Sequence, residues 1–221
     1  ASDVYKRQFM ACPLCSIMSM LAKCQYNQAR VVPMPAKSHP SITIPPITIP
    51  PITITVRPAP DGYRFHYGDR TIPCLVGQSG ITGPGQKREG DGATPAGVWR
   101  LREVLYRPDR LTQPETPLSL SAINPDDGWC DDPASPQYNR MVRLPFDASH
   151  ERMWRDDHAY NVIIPLGYND DPPEPGLGSA IFLHCTGEGK AFTEGCIAID
   201  QGAMLELLPR IGAGSEIIIE G

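Results

Sequence analysis

Proline and glycine interrupt the chain so often that only short elements of secondary structure fit between them. The chain contains 25 prolines and 20 glycines among its 221 residues. Proline breaks helices and is excluded from central strands, and both residues favour turns. The runs between them are rich in Val, Ile, Tyr and Phe, which are typical of strands. The pattern therefore predicts a mainly β fold of the sandwich type with few helices.

The same pattern gives the position of each element. Short apolar or alternating runs bounded by turn residues predict strands. These strands are 52–57, 63–67, 71–76, 97–105, 140–144, 160–165, 179–184, 196–199 and 216–219. Two short helices are predicted, one over 203–208, which Pro209 ends, and one near 149–156. The Pro- and Asp-rich stretch 107–137 is predicted to be a long loop insertion.

The first 50 residues differ in character from the rest of the chain. Residues 1–40 keep neither a helical nor a strand period, so we predict a disordered tail. Residues 41–55 repeat the letters ITIPP, and the regular prolines favour an extended linker over a central strand. A stretch near the start, FMACPLCSIMSMLA, has a faint resemblance to a signal peptide but lacks a clear cleavage site. We predict a tail and proline-rich linker over 1–50 and one folded domain over 51–221.

Charge and cysteine content argue against several classes of protein. The formal net charge is −5, whereas nucleic-acid-binding domains carry a basic surface. No apolar run reaches about 18 residues, so no transmembrane segment is predicted. Seven cysteines, an odd number, leave at least one free thiol. The CxxC at 12–15 lacks a second pair of ligands, so no metal site is predicted.

Residues suited to chemistry lie in the segment GSAIFLHCTGEGKAFTEGCIAI, 178–199. Thiol catalysis needs a thiolate, a base and N–H donors for an oxyanion. His184 ends one apolar strand and Cys196 begins the next, and a loop of about ten residues would join them as a hairpin. Gly195 permits close approach to the backbone, and the N–H groups of Gly195 and Cys196 are candidate oxyanion donors. By spacing alone, a buried cysteine near an unrelated histidine explains the segment equally well.

The segment resembles the active-site motif of the L,D-transpeptidase (YkuD-type) family, in which a strand histidine is followed by a loop and Ser/Thr-x-Gly-Cys. Here those positions are His184 and Thr193-Glu194-Gly195-Cys196. Three further blocks resemble the family in the same order along the chain: GDGATPAGVWRL (90–101), GWCDDPASPQYNRMVRLP (128–145) and YNVIIPLGYND (160–170). The resemblance extends over roughly 52–220 and implies an L,D-transpeptidase-type β-sandwich as the catalytic domain.

The resemblance implies acyl transfer on the stem peptides of bacterial peptidoglycan. Cys196 would attack the carbonyl of the third stem residue and expel the terminal D-Ala. His184 would accept the thiol proton, a backbone carbonyl would orient its other nitrogen, and its protonated form would lower the pKa of the thiol. An amine acceptor would then complete a crosslink. No cofactor or metal is implied, and the substrate places the protein in the periplasm or cell envelope.

Other outcomes remain open at this level. With water as the acceptor, the same pair would make an L,D-carboxypeptidase or a crosslink hydrolase. A wall-binding module that retained the fold is a third reading, although binding alone requires neither Cys196 nor His184. The sequence carries no signal for oligomeric state.

Several residues near the motif bear on substrate choice. Glu194 stands where the family often has a second histidine, and it would place a negative charge near an arriving amine. Thr193, and the run Tyr138, Asn139 and Arg140, are candidates for substrate contact, with structural hydrogen bonding as the alternative for the run. The stretch 107–137 is the predicted cover of the substrate groove. Cys185 should face away from the site, because successive strand side chains point to opposite faces.

Overall fold

The computed structural model describes residues 50–221, so the predicted tail and all but the end of the linker lie outside the described residues. This part of the chain forms short strands, one short helix and a 3-10 turn. The strands are β1 (Thr53–Ala59), β2 (Gly62–Tyr67), β3 (Arg70–Cys74), β4 (Ile81–Thr82), β5 (Thr94–Pro95), β6 (Gly97–Arg100), β7 (Val104–Tyr106), β8 (Leu120–Ala122), β9 (Asp127–Cys130), β10 (Met141–Arg143), β11 (His150–Arg152), β12 (Val162–Pro165), β13 (Phe182–Cys185), β14 (Ile197–Ile199) and β15 (Glu216–Ile219). The helix is α1 (Gln201–Leu207), and the 3-10 turn is Leu208–Arg210.

Two five-stranded sheets form the body of the domain. The first has the order β3-β2-β1-β15-β6, and the second has the order β14-β13-β12-β7-β8. Along β1 the apolar residues Ile54 and Val56 are fully buried, while Thr53 and Thr55, which alternate with them, are not. This period of two is what gives the strand one core face. The prediction of a mainly β fold is confirmed.

The second sheet has an apolar core on each of its faces. One face contributes Leu183 and Ile197 to the larger core, which also contains Ile54 and Phe65 of the first sheet. The other face contributes Phe182 to a smaller core, which a three-stranded sheet of order β10-β9-β11 helps to cover. Neighbouring residues of β13 therefore enter different cores, as strand alternation requires.

The helix follows β14 directly and closes one end of the larger core. The side chain of Asp200 caps it by accepting a hydrogen bond from the Ala203 N–H at 3.1 Å. Met204 and Leu207 are fully buried. The sequence predicted this helix two residues late, and Pro209 lies in the 3-10 turn that follows. Within residues 50–221, no helix is long and apolar enough to cross a membrane.

Three predicted elements differ in the structure. The run 97–105 is divided into β6 and β7, which belong to different sheets. The helix predicted near 149–156 is wrong, because His150–Arg152 is strand β11 and pairs antiparallel with β9. Pairing with a neighbouring strand outweighs local propensity for so short a polar segment. The stretch 107–137 is not a plain loop, since it contains β8 and β9.

Candidate active site

A cavity of about 420 Å³ adjoins the smaller core and receives both residues of the predicted reactive pair. Cys196 and His184 line it and are only 8% and 7% exposed. The loop after β13 contributes Lys190 and Phe192 to the lining. From 107–137 only Asp131 contributes, so the predicted cover is wrong and the loop 186–195 borders the cavity instead.

Parallel pairing of β13 and β14 brings the pair together. Leu183 lies opposite Ile197 in a parallel register, so Phe182 lies beside Cys196, just before β14 begins. His184, two residues after Phe182, projects from the same face of the sheet as Phe182. The predicted hairpin is therefore wrong, because the loop between the strands crosses back so that both run in one direction. The crossing carries the loop along the cavity.

The Cys196 thiol is held by backbone groups. Its Sγ donates a hydrogen bond to the Ala180 carbonyl at 3.1 Å and accepts one from the Phe182 N–H at 3.3 Å. Burial, together with the nearby Glu151 carboxylate, raises the pKa of the Cys196 thiol to about 12. The sequence predicted a lowered pKa; the prediction fails because burial removes water from around the thiolate.

The imidazole of His184 is oriented by a backbone carbonyl, as the resemblance implied. Its Nδ1 lies 2.7 Å from the Cys185 carbonyl oxygen. A carbonyl can only accept, so we assign the ring proton to Nδ1, which leaves Nε2 as the basic nitrogen. The Tyr160 ring packs against the imidazole edge-on, with 5.3 Å between centroids. Burial lowers the pKa of His184 to about 4, although the Cys185 carbonyl opposes this shift.

The turn before the thiol has a conformation that favours glycine. Gly195 has a φ of 140°, and a Cβ there would lie 3.0 Å from the Ala93 carbonyl oxygen. The Thr193 hydroxyl donates to the Cys196 carbonyl at 2.6 Å and accepts from the Gly195 N–H at 3.2 Å. Of the two candidate oxyanion donors, the Gly195 N–H is thus directed at Thr193. The Cys196 N–H has no hydrogen-bond acceptor within residues 50–221.

The other candidate contacts separate into two groups. Thr193 and Glu194 line the cavity, and Glu194 accepts a hydrogen bond from the Gln78 side chain at 3.0 Å. Tyr138 and Asn139 are buried and stand behind the cavity wall.

Tyr138 and Asn139 support the segment 178–180, in which the Ala180 carbonyl accepts the hydrogen bond from the Cys196 thiol. The Tyr138 hydroxyl accepts a hydrogen bond from the Gly178 N–H at 3.0 Å. The Asn139 side chain accepts one from the Ala180 N–H, also at 3.0 Å. Arg140 is exposed and donates to the Asp170 carbonyl, outside the cavity lining.

Sequence reasoning missed a group of charged residues in the cavity wall. The Tyr160 hydroxyl donates to Glu151, and an Arg155 nitrogen lies 3.6 Å from the same carboxylate. Arg155 also pairs with Asp157 at 2.6 Å. Burial raises the pKa of the Glu151 carboxyl. No sequence spacing links these residues to the motif. Glu151 also lies on β11, which the sequence predicted as part of a helix over 149–156.

Thr94 was also missed, because β5 has only two residues and shows no strand period. It is fully buried on β5, and its hydroxyl donates to the Gly195 carbonyl at 2.9 Å. Within residues 50–221, the cavity thus combines a thiol, an imidazole held through its Nδ1, and a backbone N–H beside the thiol that has no acceptor.

Comparison with known proteins identifies the family of this chain. The family model of the L,D-transpeptidase catalytic domain (YkuD) matches residues 53–219. Searches of curated proteins and of solved structures give no significant match. The match spans most of the chain and nearly all of the residues that the structure describes. The chain therefore belongs to the YkuD family of L,D-transpeptidase catalytic domains.

Proposed function

We propose that this protein crosslinks peptidoglycan stem peptides by acyl transfer through a thioester on Cys196, with 51–221 as the catalytic domain. The observation that carries the proposal is that a thiol and an imidazole, whose Nδ1 contacts the Cys185 carbonyl oxygen, line one cavity. Substrate of this kind places the protein in the periplasm or cell envelope. The 420 Å³ volume is in the range that accommodates the end of a short peptide.

The first half-reaction forms the thioester. His184 Nε2 takes the proton from the Cys196 thiol as Sγ attacks the carbonyl carbon of the third stem residue. The resulting oxyanion is stabilised by the Cys196 N–H. The bond to the nitrogen of the terminal D-Ala then breaks, and His184 returns the proton to that nitrogen. The products are the acyl-enzyme and free D-Ala.

The second half-reaction transfers the acyl group. The amine of a second stem arrives as an ammonium, releases one proton to solvent and then attacks the thioester carbonyl, and His184 Nε2 accepts the second proton that the nitrogen loses. Collapse of the oxyanion releases the Cys196 thiolate, which recovers its proton from His184. Glu194 lines the cavity and carries a negative charge, which favours the approach of a cationic amine. An amine held in place competes with bulk water through an effective molarity of up to about 10⁵ M or more.

The test uses the full chain and disaccharide-tetrapeptide, with products identified by mass spectrometry. We expect dimers that have lost one D-Ala for each linkage. Tripeptide and free D-Ala without dimers would instead make the protein an L,D-carboxypeptidase. Absence of any product, together with binding of the substrate, would make it a wall-binding module.

Two variants assign the roles within this reaction. Cys196→Ala should give neither dimers nor an adduct with a carbapenem. His184→Ala should remain folded and slow acylation of Cys196 by about 10²-fold or more, the range for loss of a general base. Equal acylation rates in wild type and His184→Ala at neutral pH would remove His184 from the mechanism.

A further inference from the structure

Thr94 stands directly behind the turn that carries the thiol. Its side chain is fully buried, and its hydroxyl oxygen accepts a hydrogen bond from the Gly77 N–H at 2.8 Å. The same hydroxyl donates to the Gly195 carbonyl at 2.9 Å, with the Cys196 carbonyl farther away at 3.4 Å. A hydroxyl has a single proton to donate, so the shorter contact is its donor bond.

The Thr94 hydroxyl is itself held in a fixed place. The Thr94 N–H donates to the Gly80 carbonyl at 2.9 Å, and the residue lies on β5, which pairs with β4. Because its backbone is anchored and its oxygen accepts from Gly77, the hydroxyl proton has one preferred direction. That direction is toward the Gly195 carbonyl.

This hydrogen bond controls a second group in the same peptide unit. The Gly195 carbonyl and the Cys196 N–H belong to one planar trans peptide, in which the two bonds point in opposite directions. Fixing the carbonyl toward Thr94 therefore turns the Cys196 N–H away from Thr94. That N–H has no acceptor within the described part of the chain, and Cys196 lines the cavity.

An external restraint is needed because glycine does not supply one. Gly195 adopts a φ of 140°, and glycine moves among backbone conformations at little cost. Without a fixed carbonyl, the Gly195–Cys196 peptide could rotate and misdirect its N–H. We propose that Thr94 is a positioning residue that aims the Cys196 N–H at the oxyanion formed during acylation. This inference rests on the proposed acyl-transfer function.

Two reactions of the same thiol separate this role from general support of the fold. Acylation by a carbapenem forms an oxyanion at the β-lactam carbonyl. Alkylation by iodoacetamide displaces iodide from a saturated carbon and forms no oxyanion. Thr94→Val keeps the side-chain shape and removes the hydroxyl. It should slow acylation by about 10²-fold, the usual effect of losing an oxyanion donor, and change alkylation by less than about threefold.

Matched variants complete the experiment. Thr94→Ser retains the hydroxyl and should bring acylation back to within about fivefold of wild type. Thr55→Val makes the same substitution on β1 of the first sheet, and both rates should equal those of wild type. Thr94→Ala removes the same hydroxyl from a smaller side chain and replaces the valine variant if that one does not fold.

The possible outcomes distinguish the two proposals. Acylation by Thr94→Val at the wild-type rate, or an equal loss of both reactions, overturns the positioning role while the acyl-transfer function stands. A wild-type protein that is alkylated on Cys196 but never acylated overturns the acyl-transfer function, and the role of Thr94 with it.

Discussion

Burial shifts the pKa values of the two members of the reactive pair in opposite directions and favours the neutral form of each. It raises the pKa of the Cys196 thiol to about 12 and lowers the pKa of His184 to about 4. Between these values the thiol keeps its proton and the imidazole takes none. Two neutral partners fit the proposed general-base step, in which the proton moves during attack on the substrate.

Glu151 should hold back ionisation of the thiol. The charged groups that act on Cys196 are Glu151, which raises its pKa, and Lys87 and Arg155, which lower it. Glu151→Gln removes the negative charge and still offers an oxygen to the Tyr160 hydroxyl. At each pH between 6 and 10, iodoacetamide should alkylate Cys196 faster in this variant than in wild type. The increase should be about tenfold for each unit by which the thiol pKa falls.

A solvent-screened carboxylate provides the control for that experiment. The Glu188 side chain, on the loop after β13, is 90% exposed, so its charge should have little effect on a buried thiol. Glu188→Gln should follow the wild-type pH profile. Identical profiles for wild type and Glu151→Gln would mean that Glu151 does not influence the thiol.

Only some residues of the site could be predicted from the sequence. His184, Gly195 and Cys196 could be predicted because they lie in one contiguous motif. Thr94 and Glu151 reach the cavity only through sheet pairing between distant segments, and no local pattern reveals it. The thiol pKa was also beyond sequence reasoning, since it depends on burial.

At the scale of elements, prediction succeeded where a strand has a clear apolar face. The first three strands alternate and were located within a few residues of their observed bounds. The two-residue strands β4 and β5 are too short to show any period, and polar β11 was predicted as helix. The parallel pairing of β13 with β14 was missed as well, because a ten-residue connection more often makes a hairpin.

The second sheet separates two thiols. Cys185 follows His184 on β13, and Cys196 lies just before β14. Cys185 is 1% exposed and packs in the larger core, whereas Cys196 belongs to the smaller one. Cys185→Ala should lower the free energy of unfolding by about 1 kcal/mol, as expected for one lost buried atom. Urea unfolding measures that loss.

The same variant should keep its chemistry. Carbapenem should still form one adduct on Cys196 in Cys185→Ala, at a rate close to wild type. Intact-mass and peptide mapping would detect it. An adduct on Cys185, or one that persists in Cys196→Ala, would contradict the assignment of the two faces.

At the scale of the whole molecule, placing an ionisable residue in the smaller core makes folding depend on pH. His184 is 7% exposed, and its pKa falls from 6.5 to about 4 on folding. Between these values the unfolded chain binds a proton that the folded chain excludes, so stability increases with pH. The stabilisation is complete above pH 6.5 and is lost as pH falls toward 4. The 2.5-unit difference corresponds to about 3 kcal/mol.

Replacing the imidazole should remove that dependence. His184→Gln keeps a side-chain donor for the Cys185 carbonyl and cannot titrate. Urea unfolding at several pH values from 4.5 to 7.5 should show a free energy of unfolding that rises less steeply than in wild type, by about 2.5 kcal/mol over the range. His66→Gln, on β2 of the first sheet, is the matched control and should parallel wild type. Parallel curves for wild type and His184→Gln would show that His184 is not excluded from protonation by folding. In that case His184 would have to lose a proton before it could act as a general base below neutral pH.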